Sequence, residues 1–398
     1  MSSIDSGGRR PVHVVYGGAH RFKADTCNKL GGLARRSMIE YAPDAAAFEL
    51  ALGLPRGLGE TVYARVIEKL DHEPVEDFRI DFEDGFGVRP DEEEDRAAEA
   101  AASETAAAMA AKALPAFFGI RIKSLSGAAR PRAVRTLDRF LKTLLERSGG
   151  RIPGNFAVTL PKITAAAQVR ELMDLLAPYP EVRIELMIET PESVRIIPEM
   201  IAIARGRAVA AHFGAYDYTA ALGITAAHQS LSHPACVLAR SLMQLHFAGS
   251  GIALADGGTI VLPIPRHRTP PLSVHQILEN EAAVRGAWKL HYDAVRESMH
   301  HGFYQSWDLH PAQLPARFAA VYAFFLEGLE EASRRLKNFL AQSAQATQTG
   351  GVFDDAATGH GLMNYFRRAV DCGAIPASDL PALTGLSAER LREACPPR

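Results

Sequence analysis

Short runs of apolar and β-branched residues alternate along the chain with longer amphipathic stretches. This pattern is typical of consecutive βα units around a parallel sheet. The apolar runs predict strands at 12–16, 78–82, 117–122, 157–160, 183–188, 208–213, 252–254 or 259–262, and 307–309. The amphipathic stretches predict helices at 91–113, 133–146, 165–176, 191–203, 234–248 and 273–296. Eight strands that alternate with helices fit a closed barrel better than an open sheet, so we predict an α/β fold, a (β/α)8 TIM barrel.

The sequence beyond Pro315 has a helical pattern without strands between the helices. Segments 317–341, 362–372 and 387–394 are predicted helices, and Pro376 and Pro381 separate the last two. We therefore expect a catalytic barrel domain over residues 1–315 and a C-terminal helical extension over residues 316–398. Within the barrel, Thr190 and Pro191 form the N-cap and first position of a predicted helix.

Composition narrows the class of protein. The 398 residues are 47% hydrophobic and 23% charged, a balance that allows a large core in a soluble globular protein. A net charge of −2 gives no electrostatic reason to expect nucleic acid or an anionic membrane as a partner. No apolar run is long enough for a signal peptide or a membrane helix. Four scattered cysteines, Cys27, Cys236, Cys372 and Cys395, form no zinc or disulfide pattern, so we expect reduced thiols and a cytoplasmic protein.

Carboxylates follow three of the predicted strands. Glu83 and Asp84 come after the strand that contains Asp81, while Glu189 and Asp217 follow two consecutive later strands. Because consecutive barrel strands are neighbours and their C-termini open onto one face, Glu189 and Asp217 are expected to converge. Two carboxylates completed by waters and substrate oxygens are the usual way in which proteins hold Mg²⁺. The sequence therefore predicts a divalent-metal site at Glu189 and Asp217.

Basic residues also lie at strand ends. Arg121 and Lys123 alternate with isoleucines, and Lys162 follows the next predicted strand. A cation that faces the barrel interior needs an anionic partner, either a substrate carboxylate or an acid on a neighbouring strand. The sequence leaves both alternatives open. No Gly-rich phosphate loop of either common type is present, so nicotinamide and nucleoside triphosphate chemistry of those kinds is not indicated.

These motifs resemble the citrate lyase β-subunit/malyl-CoA lyase family, the HpcH/HpaI aldolase superfamily. The matching stretches occur in the family's order: IDFEDG (80–85), GIRI (119–122), LPKI (160–163), LMIETPESV (186–194), FGAYDYTAALG (213–223) and GFYQSWDLHPAQL (302–314). Two stretches depart from the family pattern. The opening VYGGAHRFKAD lacks the proline of the family's Val-Pro-Gly turn, and Gln305-Ser306 replace the family's Gly-Lys.

The resemblance implies a role for each matched residue. Glu189 and Asp217 would bind Mg²⁺ (or Mn²⁺), and Arg121 would hold the substrate carboxylate or carbonyl. Glu83 and Asp84 would be catalytic acids that orient metal-bound water or Arg121. Substrate contacts are expected from Arg121, Lys123, Lys162, Gly214 and Ala215.

The implied activity is that of a metal-dependent carbon–carbon lyase or aldolase. It would act on a 2-oxo acid or a β-hydroxyacyl substrate through a metal-stabilised enolate, with a coenzyme A thioester left open. A homo-oligomer is also implied, because in several family members a neighbouring subunit's C-terminal segment supplies the general base. Two alternatives remain on the same barrel: phosphoenolpyruvate/pyruvate-type phosphoryl transfer or thioester hydrolysis, and a non-catalytic barrel that binds small acids.

Overall fold

Eight parallel strands close into a barrel, as the sequence pattern predicts. The structure, a computed structural model, describes residues 9–342, 347–349 and 352–394. The strands are β1 (His13–Gly18), β2 (Asp77–Asp81), β3 (Phe117–Arg121), β4 (Phe156–Leu160), β5 (Arg183–Ile188), β6 (Ala208–Phe213), β7 (Ala253–Asp256) and β8 (Gln305–Asp308). Each pairs with the next in chain order, and pairing of β1 with β8 closes the ring. The predicted TIM-barrel fold is confirmed.

Helices surround the strands. They are α1 (Thr26–Tyr41), α2 (Ala45–Leu52), α3 (Gly59–His72), α4 (Asp91–Ala111), α5 (Arg130–Ser148), α6 (Ala166–Leu175), α7 (Pro191–Arg195), α8 (Ile197–Ile203), α9 (Ala215–Ala221), α10 (Pro234–Phe247), α11 (Val274–His300) and α12 (Leu314–Glu327). The first three were not assigned from the sequence pattern. The N-cap at Thr190 is confirmed, because its hydroxyl accepts the backbone N–H of Ser193 at 2.9 Å.

Several predicted boundaries were wrong. The seventh strand is close to the 252–254 alternative, and 259–262 forms no strand. The eighth begins two residues earlier than predicted. Helix 191–203 divides into α7 and α8, where Pro198, at the second position of α8, has no backbone N–H to continue the earlier helix. Helix 317–341 divides at Gly328, a residue with low helix propensity.

The remaining elements form the C-terminal region. They are α13 (Leu329–Ala341), an antiparallel pair of strands β9 (Thr347–Thr349) and β10 (Val352–Asp354), α14 (Ala356–Asp371), α15 (Leu380–Thr384) and α16 (Ala388–Ala394). Helix α12 packs against α11, α3 and α1 of the barrel. Cys27, Cys236 and Cys372 are buried and free, whereas Cys395 lies outside the described residues. None of the described helices has the length and apolar character needed to cross a membrane.

The centre of the barrel is a network of paired charges. Arg79 on β2 donates to Asp77 on the same strand and, at 3.0 Å, to Glu185 on β5. Glu185 also accepts hydrogen bonds from Thr159 at 2.7 Å and Tyr16 at 2.6 Å. Apolar side chains on the opposite faces of the strands form the core against the helices. These charged and polar contacts link β2, β4, β5 and β1 across the barrel, beneath the residues at the strand ends.

Candidate active site

Asp81 fixes the loop that carries the first candidate acids. It is the last residue of β2 and is 2% exposed. Its carboxylate accepts the backbone N–H groups of Glu83 at 2.9 Å and Gly85 at 2.7 Å. These bonds fold the loop back over the end of β2 and hold Glu83 and Asp84 at the carboxyl-terminal face of the barrel.

Arg121, at the end of β3, is buried beside three carboxylates. Its Nε and Nη2 donate to the two oxygens of Asp81 at 2.7 and 2.6 Å. Nη1 lies 3.2 Å from Glu83 and 3.7 Å from Asp84. The salt bridge to an acid on a neighbouring strand, one of the two alternatives from the sequence, is therefore present. Only the Nη1 edge faces the site, so its role as a substrate clamp remains a prediction.

Four carboxylates surround the ammonium group of Lys162; we call Glu83, Asp84, Glu189 and Asp217 the acidic cluster. Lys162 Nζ lies 2.6 Å from Asp217, 3.7 Å from Asp84, and 3.9 Å from both Glu83 and Glu189. The two predicted metal ligands, Glu189 and Asp217, thus approach one point, as the adjacency of their strands implies.

Glu189 occupies the most enclosed position in the cluster. It follows β5, is 1% exposed, and accepts the backbone N–H of Lys162 at 2.6 Å. Gly214, after β6, leaves the space that this side chain needs, because a Cβ there would lie 2.4 Å from the Cβ of Glu189. Asp217, on α9, is 47% exposed at its side chain and closes the solvent side of the cluster.

Burial and crowding alter the electrostatics of the cluster. Burial raises the pKa of Glu83 to about 8, against the opposing charges of Arg121 and Lys162. Burial also raises the pKa of Glu189. The pKa of Asp84 is lowered despite its burial, through its hydrogen bond with Glu83 and the positive charges nearby. The cluster therefore has more carboxylates than neighbouring cations can neutralise.

Two further predicted substrate contacts, Lys123 and Ala215, have different surroundings. Lys123 turns away from the cluster: its Nζ donates to the carbonyls of Phe82 and Gly87 and lies 3.2 Å from the buried carboxylate of Glu94. It stabilises the loop after β2 and does not join Lys162. Ala215 is buried beside Gly214 at the start of α9.

Tyr16 and Trp307 border the site, and neither was predicted from the sequence as a site residue. Their rings lie 4.4 Å apart, and Arg121 Cζ lies 4.9 Å and 5.4 Å from them, within the range of cation–π contact. The buried Nε1 of Trp307 has no hydrogen-bond partner among the described residues. Alternation of inward positions along β1 and β8 is the signal that points to these residues.

The acidic cluster offers oxygen donors of the kind that a hard divalent cation binds. Across residues 9–342, 347–349 and 352–394, no three or more His, Cys, Asp or Glu side chains form a ready-made metal site. Two carboxylates suffice for Mg²⁺, which usually keeps several waters and adds substrate oxygens. Because four carboxylates share one ammonium group and one guanidinium edge, the donor set fits a hard divalent cation between Glu189 and Asp217.

The barrel has the fold of citrate lyase β-like proteins. It is similar to a citrate lyase from Burkholderia xenovorans LB400, with a TM-score of 0.54 and 19% identity over 78% of this chain and 91% of that chain. It is also similar to the protein CitE from Mycobacterium tuberculosis in complex with magnesium, acetoacetate and coenzyme A. That comparison gives a TM-score of 0.51 and 18% identity over 91% of this chain and 99% of that chain.

Identities this low establish the shared fold alone. A sequence profile described as "Domain of unknown function (DUF6986)" matches residues 4–398, so the chain belongs to that family. No curated protein matches the chain.

Proposed function

We propose that this protein is a Mg²⁺-dependent carbon–carbon lyase that acts on a 2-oxo acid or β-hydroxyacyl substrate. The observation that carries the proposal is the acidic cluster around Lys162, beside the Nη1 edge of Arg121. It combines carboxylates suited to a hard cation with donors suited to a substrate carboxylate. The proteins that share the fold include a citrate lyase and a protein in complex with magnesium, acetoacetate and coenzyme A.

Each residue has a definite part in the proposal. Glu189 and Asp217 hold Mg²⁺ (or Mn²⁺), which when bound supplies positive charge that polarises a substrate carbonyl. Arg121 Nη1 and Trp307 Nε1 bind the substrate carboxylate. Because Asp81 already fixes the Arg121 fork, Nη1 needs no reorganisation when substrate arrives.

The other side chains around Arg121 limit its contact with water and fix its orientation. The rings of Tyr16 and Trp307 cover the inner side of Arg121, and Glu83 orients Nη1. The substrate is a 2-oxo acid or β-hydroxyacyl group, with a coenzyme A thioester as an open alternative. We also propose that the protein is a cytoplasmic homo-oligomer, and that each chain consists of a barrel domain and a C-terminal helical extension.

Phosphoryl transfer is less well supported on this barrel. That activity would use Lys123 and Lys162 together as phosphate contacts. Lys123 is engaged with Glu94 and two backbone carbonyls of the loop after β2, whereas Lys162 lies in the acidic cluster. The separation of the two lysines weighs against a phosphate cradle at this face.

Proton exchange at pyruvate tests the proposed activity. In deuterated buffer, the protein is expected to replace the methyl protons of pyruvate with deuterium in a Mg²⁺-dependent way, because a polarised 2-oxo acid forms an enolate. Loss of the methyl signal in proton NMR measures the rate. The same buffer with Mg²⁺ and no protein, and the Asp217→Asn variant, are the controls. Absence of Mg²⁺-dependent exchange with pyruvate, oxaloacetate and acetyl-CoA alike would favour a non-catalytic acid-binding barrel.

Lys162→Met is expected to tighten Mg²⁺ binding by about 10-fold. In a partly exposed site, a unit positive charge about 4 Å from a bound cation repels it by an energy of the order of 1.4 kcal/mol or more. This energy corresponds to a change in affinity of about 10-fold. The ammonium group therefore competes with a metal for the same carboxylates. Isothermal titration calorimetry with MgCl2 measures the change, with Lys142→Met on the exposed side of α5 as control. Weaker binding in Lys162→Met would mean that the lysine supports the metal site.

A further inference from the structure

A second polar cavity lies at the opposite end of the barrel from the acidic cluster. It has a volume of about 240 Å³ and is lined by Arg10, Tyr304, Gln305 and Arg368. Arg10 precedes β1, Gln305 begins β8, and residues 249–252 precede β7, so the cavity opens at the amino-terminal ends of these strands. Arg368 comes from α14, which brings the C-terminal extension to this face.

Three arginines meet at this end of the barrel. Arg10 and Arg368 line both this cavity and a smaller adjoining one, where Arg367 and Asp371 join them. Asp371 is the one carboxylate among the residues that line the two cavities, and it lies 3.5 Å from Arg367 Nη1. Burial, together with the nearby charges of Arg367 and Arg10, lowers the pKa of Arg368 to about 10. The group is therefore crowded with positive charge.

Among the residues that the structure describes, no carboxylate forms an ion pair with the guanidinium of Arg368. Its Cζ lies 3.9 Å from the ring centre of Tyr304, which is a cation–π contact. Its buried Nε has no hydrogen-bond partner within the described part of the chain, and neither has the Nε of Arg367, which is 7% exposed. Buried guanidinium groups are normally paired, and their planar fork matches the oxygens of a carboxylate or phosphate.

We propose that this cavity binds the phosphate group of a phosphate monoester. Arg368 and Arg10 line the cavity, and Arg367 adds positive charge from the adjoining one, where Asp371 offsets one of the three charges. The two positive charges that remain favour a dianion. Beyond the arginines, the cavity wall continues over Phe247, Ala248 and Ile252, which gives the organic part of a monoester an apolar surface. The site is independent of the proposed lyase activity and lies on the face away from it, so its ligand would act as an effector.

Melting temperatures and calorimetry test the site. Inorganic phosphate and glycerol 3-phosphate are added to the full chain in chloride buffer of constant ionic strength. Both are expected to raise the melting temperature, with the monoester binding more tightly. Arg368→Gln should weaken both by at least about 10-fold, because it removes a charged fork. The exposed Arg147→Gln on α5 should bind as the unaltered protein does.

Stability without added phosphate separates binding from structural support. Arg368→Gln should then melt no lower than the unaltered protein, because it removes one of three like charges. Arg10→Gln is the second variant and should show the same loss of phosphate response. An equal response to extra chloride, or an unchanged phosphate response in both variants, would overturn the proposal. Equal affinity for inorganic phosphate and glycerol 3-phosphate would overturn the monoester assignment.

Discussion

Glu189→Gln is expected to reduce the affinity for Mg²⁺ at least about 100-fold, because even partners one step removed from a metal typically contribute 10–100-fold. Glutamine keeps the size of the side chain and an oxygen that accepts the backbone N–H of Lys162. It removes the charge at the most enclosed carboxylate of the acidic cluster. Mg²⁺-dependent deuterium exchange should fall with the affinity. Titration with MgCl2 in a calorimeter measures the binding directly.

Glu192→Gln provides the matched control. Glu192 lies three residues after Glu189, on α7, is 48% exposed at its side chain, and pairs with Arg195. Glu192→Gln removes the same negative charge at a position outside the acidic cluster. The Mg²⁺ affinity of this variant should therefore equal that of the unaltered protein. Circular dichroism would check that both variants keep their helices. If Glu189→Gln and Asp217→Asn both bind Mg²⁺ normally, the metal site does not involve these carboxylates.

The barrel could be predicted because its strands are buried on both faces. Strands such as β4 (FAVTL) are mostly apolar, and β2 (DFRID) has apolar residues at every second position. Their alternation with longer amphipathic stretches is visible without tertiary information. Helices α1 and α2 were not predicted from the sequence, for two different reasons. Helix α1 contains Gly31 and Gly32, which lower helix propensity, yet Gly31 is required because a Cβ there would lie 2.5 Å from Pro74. Helix α2 (AAAFELAL) is apolar on nearly every side and shows little helical periodicity.

The sequence could predict that the site residues lie close together, but it could not predict which of them form ion pairs. Chain order alone indicates that Glu189 and Asp217 approach each other. The direction of Lys162 could not be predicted, because its backbone has a φ of +50°, a left-handed conformation rare for a lysine. Nor could the sequence show whether Arg121 binds a substrate or Asp81. That choice depends on how the loop after β2 folds over the strand end.

Arg121→Met is expected to lower the free energy of unfolding by about 3–5 kcal/mol, the range found when one partner of a buried ion pair is removed. The change leaves the carboxylate of Asp81 buried without the two charged hydrogen bonds that it now accepts. Arg121→Lys keeps the charge and loses the fork, so about 1.5–3 kcal/mol should be lost. Urea denaturation followed by circular dichroism measures both.

A double-mutant cycle with Asp81→Asn separates the ion pair from other effects. Asparagine removes the charge and keeps an oxygen for one of the backbone N–H groups of Glu83 and Gly85. In the Asp81→Asn background, Arg121→Met should cost much less than in the unaltered protein, because no buried charge is left unpaired. Equal costs in the two backgrounds would show that the Asp81 pair contributes little. Arg121 would then be held chiefly by the rings of Tyr16 and Trp307, and a substrate carboxylate could take the whole fork.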